Sequence, residues 1–89
     1  MKAVVTVVGK DRVGIIGQTC IALAEYNVNI LDINQTILQE FFTMTMLVDV
    51  SNSAIPFADL KAALAAKGGE MGLKIRIQNE DIFEAMHRI

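Results

Sequence analysis

The chain has 89 residues, 53% of them hydrophobic and only 20% charged, with a mean hydropathy of +0.42. That is one domain's worth of chain, too apolar to stay disordered and short enough to leave apolar surface in need of a partner. A net charge of −2 gives a phosphate backbone little to bind and argues against nucleic acid as a partner. The single cysteine excludes an intrachain disulfide framework and paired-cysteine metal sites.

The opening MKAVVTVVGKDR carries one basic residue and then seven uncharged residues up to Gly9, too short an apolar run for an export signal. The longest charge-free run is the twelve residues Val13 to Ala24, well short of the ~20 needed to span a bilayer. The expectation is a soluble cytoplasmic domain with no membrane partner.

Residues 3–8 are β-branched and apolar on both faces, as in a central strand covered on both sides. Gly9-Lys10-Asp11-Arg12-Val13-Gly14 interrupts this strand, and a helical period begins at Ile15. Ile16, Cys20, Leu23 and Ala24 form its predicted buried stripe, with Cys20 as a small hydrophobe in the core. Asn27 is a suitable left-handed terminator. Residues 29–38 alternate, with Leu31, Ile33 and Ile37 on one face and Asp32, Asn34 and Thr36 on the other. Residues 41–50 alternate again after the short turn Gln39-Glu40, which predicts a hairpin. Pro56 opens a second helix that buries Phe57, Leu60, Ala63 and Leu64, and Gly68-Gly69 is its predicted stop. Leu73, Ile75 and Ile77 alternate with Lys74, Arg76 and Gln78, a one-sided strand for a sheet edge. Asn79 caps a short terminal helix with Ile82, Phe83, Met86 and Ile89 on its apolar side.

The order β-α-β-β-α-β predicts an α+β, ferredoxin-like sandwich. Its four-stranded antiparallel sheet has strand order 4-1-3-2, both helices on one face and a short C-terminal helix at the end. Val4, Thr6, Val8, Phe41, Thr43, Thr45 and Leu47 then fall on a helix-free, mostly apolar face. The terminal helix and self-association are the two ways to cover it, and a homodimer is expected.

The loop from Gly9 to Gly14 carries the most chemistry. Its glycines let backbone N–H groups converge, and the following helix adds its positive end, which suits a small carboxylate or phosphate. The alternative is a plain tight turn with Asp11 near the helix start. Neither a Walker loop nor a dinucleotide G-x-G-x-x-G is present. Asn29, Asp32 and Asn34 could set polar groups beside that loop, or simply form the solvent side of a strand. His87 has no second ligand at metal spacing. No two acids are spaced as a general acid/base pair, and Cys20 has no base nearby.

Lys10-Asp11-Arg12-Val13-Gly14-Ile15-Ile16 after an apolar strand, then Asn27-Val28-Asn29-Ile30-Leu31-Asp32 and Phe42-Thr43-Met44, resemble the ACT domain, a small-molecule regulatory module. The resemblance spans residues 2 to about 78 and is nearest the stand-alone members, with 79–89 as a helical extension of the same domain. It implies a non-catalytic protein without cofactor or metal that binds an amino acid at a homodimer interface. Carried over residue by residue, the ligand positions are Asp11, Arg12, Val13, Gly14, Ile15, Asn29 and Ile30. Asp11 and Val13 stand where amino-acid-binding members often have Asn and Pro.

On that reading the ligand carboxylate meets N–H groups near Gly14 and Ile15, and Asp11 or a carbonyl across the dimer takes the ammonium. Gly14 then lacks a side chain so that the ligand can approach, and Gly14→Ala is expected to melt near wild type. The other reading is an acylphosphatase-like hydrolase on the same fold, with Arg12 on phosphate and Asn34 orienting water. Asp11 opposes it by repulsion. An RNA-binding sheet is excluded by the negative charge and the lack of aromatics on the first strand.

Overall fold

Six elements follow one another: β1 (Lys2–Lys10), α1 (Ile15–Glu25), β2 (Asn29–Leu38), β3 (Phe41–Asp49), α2 (Phe57–Met71) and β4 (Lys74–Asn79). The computed structural model describes residues 1–10 and 14–81. The strands lie in the order β2-β3-β1-β4, every neighbouring pair antiparallel. This is the predicted order read from the opposite edge, and it makes the ferredoxin-like sandwich of two split βαβ units.

Alternation divides the sheet into two faces. Ala3, Val5 and Val7 of β1, Phe42, Met44, Met46 and Val48 of β3, and Ile75 and Ile77 of β4 point into the core with Leu23 of α1 and Leu60 and Leu64 of α2. Val4 opposite Leu47, Thr6 opposite Thr45 and Val8 opposite Thr43 form the helix-free face. Along that face exposure is uneven: Val4 is 7% exposed, Val8 42% and Phe41 49%. The predicted terminal helix, with Ile82, Phe83, Met86 and Ile89, lies outside the described residues. Within them, the Asp81 N–H donates to Asn79 Oδ1 at 2.8 Å.

Both helices depart from the sequence expectation in one respect. The stripe of α1 is Ile15, Thr19, Ala22 and Leu23, turned from the expected one, so Ile16 and Ala24 are exposed and Cys20 is only partly buried. A threonine looks out of place there, but its hydroxyl donates to the Ile15 carbonyl at 2.7 Å, which lets it be buried satisfied. The helix α2 runs past Gly68-Gly69 to Met71 and ends at Gly72, whose φ of 71° is left-handed. Gly68 is buried against Leu73 and Ile75, so its missing side chain serves close helix–strand approach and not termination.

The hairpin β2–β3 contains an irregularity between Ile30 and Asp32. This bulge puts Leu31 out of register and returns Ile33 opposite Met46 and Ile37 opposite Phe42, on the helix side of the sheet. Being at the edge, Ile33 and Ile37 remain 40% and 55% exposed.

Candidate functional site

The candidate ligand loop joins the end of β1 to the start of α1. Asp11, Arg12 and Val13 lie outside the described residues, and Gly14 and Ile15 form the entry to the helix. Gly14 occupies the N-cap position with φ 91° and supplies no side-chain cap, while its carbonyl accepts the Gln18 N–H at 2.9 Å. The first turn of α1 also contains no acidic residue. The positive end of the helix is therefore not neutralised by side chains of its own first turn, a setting that favours an anion. The Ile15 side chain is buried, so only its backbone can face a ligand.

Two expectations about the loop glycines change. A positive φ is the conformation that glycine adopts without strain, so Gly14 is needed by the backbone itself, and near-wild-type melting for Gly14→Ala is no longer expected. Gly9 lies within β1, and the space of its absent side chain is filled by the Leu73 side chain. Its missing side chain makes room for Leu73 at the end of the sheet.

Asn29 and Ile30 begin β2 at the other end of the molecule. Asn29 pairs with Asp49, which pairs with Lys2 at the start of β1, whereas the candidate loop follows Lys10, which pairs with Phe41. Eight residue steps of β1 separate these levels, about 26 Å at the usual strand rise. Within one chain Asn29 therefore stands far from Lys10, while Asp32 and Asn34 lie level with Val4 and Thr6 of β1. Asn34 sits mid-sheet on the helix-free face, opposite Thr45. The helix α1 carries the chain from the end of β1 at Lys10 back to the opposite end of the sheet, where β2 begins.

Around Asn29 the structure assembles a cleft that the sequence reading did not find. It has a volume of about 400 Å³ and is lined by Ala24, Asn27, Val28, Asn29, Asp49 and Asn52. Asn27 holds a left-handed φ of 59° and its side-chain amide donates to the Asn52 carbonyl at 2.9 Å. The Asp49 carboxylate accepts the Ser51 N–H at 2.9 Å and lies 3.7 Å from the Met1 ammonium. Hydrogen bonds from Ser51, with help from that ammonium, hold the Asp49 carboxyl below its ordinary value. Asn27 read only as a helix terminator; its second role needed the pairing of Asn29 with Asp49, which no local pattern reveals.

Among the described residues no group of three His, Cys, Asp or Glu side chains could hold a metal. No helix among them is long and apolar enough to cross a membrane.

Comparison with known proteins fits this geometry. A UPF0237 protein of Clostridium acetobutylicum is 53% identical over 89 residues, covering all of both chains. An ACT domain protein from Streptococcus pneumoniae superposes with a TM-score of 0.83 at 44% identity, covering 94% of each chain. A formyltetrahydrofolate deformylase from Pseudomonas syringae shares the fold at a TM-score of 0.78 and 20% identity, over 88% of this chain and 27% of the deformylase. The ACT domain pattern itself matches residues 2–78, from the start of β1 almost to the end of β4, and with the strand order and full-length relative in agreement, the chain belongs to the ACT domain family.

Proposed function

We propose that this protein is a non-catalytic, cytoplasmic regulatory module that binds a small amino acid at a site shared between the two chains of a homodimer. ACT domains are regulatory domains that bind small molecules. The observation that carries the finer reading is the separation of Gly14 and Ile15 from Asn29 and Ile30 at opposite ends of the sheet. One ligand can touch both sets only if a second chain lies antiparallel to the first. The free edge of β2, with Ile33 and Ile37 exposed, supports such an arrangement. Pairing this edge with its counterpart sets the start of one β2 beside the end of the other, next to the loop of the first chain.

In that arrangement the ligand carboxylate meets N–H groups at the start of α1, and Asp11 supplies the counter-charge for the ammonium. Asn29 of the second chain contributes its amide. Binding can regulate only through a difference in affinity between two states, and the state that differs is the pairing with a further protein.

Calorimetry against the common amino acids tests the ligand, and silence across the panel at millimolar concentration refutes it. Subunit mixing tests the shared site. Asp11→Ala and Asn29→Ala chains each lose binding alone, while their random mixture regains about a quarter of the wild-type sites, because half the dimers hold one intact site. A site within one chain gives no recovery on mixing.

A further inference from the structure

The walls of the cleft around Asn29 are braced against each other by hydrogen bonds. Ala24, Asn27 and Val28 come from the end of α1 and the turn after it, Asn29 from β2, Asp49 from β3 and Asn52 from the loop beyond. The Asn27 amide donates to the Asn52 carbonyl at 2.9 Å, and the Ala54 N–H donates to the Tyr26 carbonyl at 2.8 Å. Turn and loop are thus tied together twice. At about 400 Å³ the cleft falls in the size range of small-ligand pockets.

Its chemistry discriminates by charge. Three asparagines stand with one carboxylate, and among the described residues no lysine, arginine or histidine lines the cleft. Asp49 is ionised at neutral pH, since Ser51 and the Met1 ammonium hold its carboxyl below the ordinary value. The Ser51 N–H and that ammonium both lie against Oδ1, so Oδ2 keeps acceptor capacity for a hydrogen-bond donor. A second carboxylate entering here is repelled. A further cation gains little, because the Met1 ammonium lies 3.7 Å from Asp49 and Lys2 stands across from it on β1. An apolar group would strip water from the amides and the carboxylate without replacing its hydrogen bonds. The group that fits is uncharged and donates a hydrogen bond.

We propose that this cleft is the specificity pocket of the shared amino-acid site. It receives the ligand's side chain, from which Asp49 accepts a hydrogen bond, so the ligand class is amino acids whose side chain ends in a hydroxyl or a carboxamide. The inference rests on the dimer reading above. There, antiparallel pairing of two β2 edges sets Asn29 beside the end of the other β2. That end is level with Phe41 and Lys10, from which the ligand loop leaves. A ligand whose main-chain groups are held at the start of one α1 therefore stands at the mouth of the other chain's cleft.

The test is calorimetry on the full-length protein at pH 7 with isosteric ligands: asparagine against aspartate, glutamine against glutamate, and threonine against valine, with lysine and glycine added. The tightest ligand is expected to be an uncharged donor, at least tenfold ahead of its acidic or apolar isostere. Asp49→Ala should reduce that preference at least tenfold while glycine, which has no side chain to reach the cleft, binds both proteins alike. Should Asp49→Ala fold poorly, Asp49→Asn keeps an acceptor for the Ser51 N–H and still removes the repulsion of acids. Tightest binding by an acidic, basic or apolar amino acid overturns the proposal and leaves the shared site standing. So does an equal loss of glycine binding in Asp49→Ala, which would put Asp49 on the ligand's main-chain ammonium. Silence across the whole panel overturns the proposal together with the reading it rests on.

Discussion

Leu73 closes over Gly68: its N–H donates to the Gly68 carbonyl at 2.7 Å, and a Cβ built on Gly68 would stand 2.9 Å from the Leu73 carbonyl oxygen. The neighbour on that side is backbone and cannot step aside cheaply. Gly68→Ala should therefore lower stability by about 1–2 kcal/mol, the overpacking cost outweighing the helix-propensity gain. Gly69, one residue later in the same helix, has nothing within 4 Å of its missing side chain. Gly69→Ala should raise stability by about 0.5–1 kcal/mol. Denaturant titration of the two variants checks the pair, and equal effects would mean that Leu73 does not constrain the helix.

Entry into α1 offers a similar contrast. Gly14 holds φ 91° while Gly17 sits in open space with an ordinary helical backbone. Gly14→Ala should cost about 1 kcal/mol or more from strain, and Gly17→Ala should stabilise by about 0.5–1 kcal/mol. Ligand affinity in Gly14→Ala, corrected for the folded fraction, then separates a backbone requirement from obstruction of the site. Thermal melting that shows no cost at Gly14 would contradict the left-handed cap.

Thr19 is wholly buried and its hydroxyl bonds only to the carbonyl one turn earlier. That carbonyl keeps its helical N–H partner when the hydroxyl is gone. Thr19→Val should thus change stability by less than about 1 kcal/mol, because a satisfied polar group is replaced by an apolar group of the same shape. Thr19→Ser, which leaves a methyl-sized gap, should cost about 1 kcal/mol. A Val variant clearly less stable than the Ser variant would show that the hydroxyl matters more than the packing.

Asp49 predicts a limb in the acid stability profile. Its folded value is held below the unfolded one by Ser51 and the Met1 ammonium. A depressed carboxyl contributes stability that is fully present above the unfolded value, about 3.9, and is lost as pH falls through the folded value. Melting temperatures from pH 7 to pH 3 should therefore drop less steeply in Asp49→Asn than in the wild type. Parallel curves would mean that the carboxylate gains nothing from these partners.

Alternation and turn residues carried the strands, their order and both helices, because each element pairs a clear apolar face with a local stop. What failed were features set by tertiary contact. Whether Ile15 or Ile16 faced inward depended on a threonine hydroxyl finding a carbonyl. Whether Gly68 stopped or packed α2 depended on Leu73, a residue beyond the helix. The candidate site shows the same limit more sharply. Gly14 was legible as a special position, but its φ was not, and the placement of Asn29 beside Asp49 and Asn52 required the sheet register.

The bulge at Leu31 has a consequence for how this chain can vary in length. Ile30 and Ile33 both point to the helix side across three positions, a spacing that an unbroken strand does not allow. Leu31 is thus the surplus residue of the hairpin. Removing it should leave every cross-strand partner before and after it in place, whereas removing Ile33 would bring the charged Asp32 to the helix side opposite Met46. Homologues one residue shorter are therefore expected to carry their gap at this position, and a ladder of single deletions along β2 would find its one tolerated rung there.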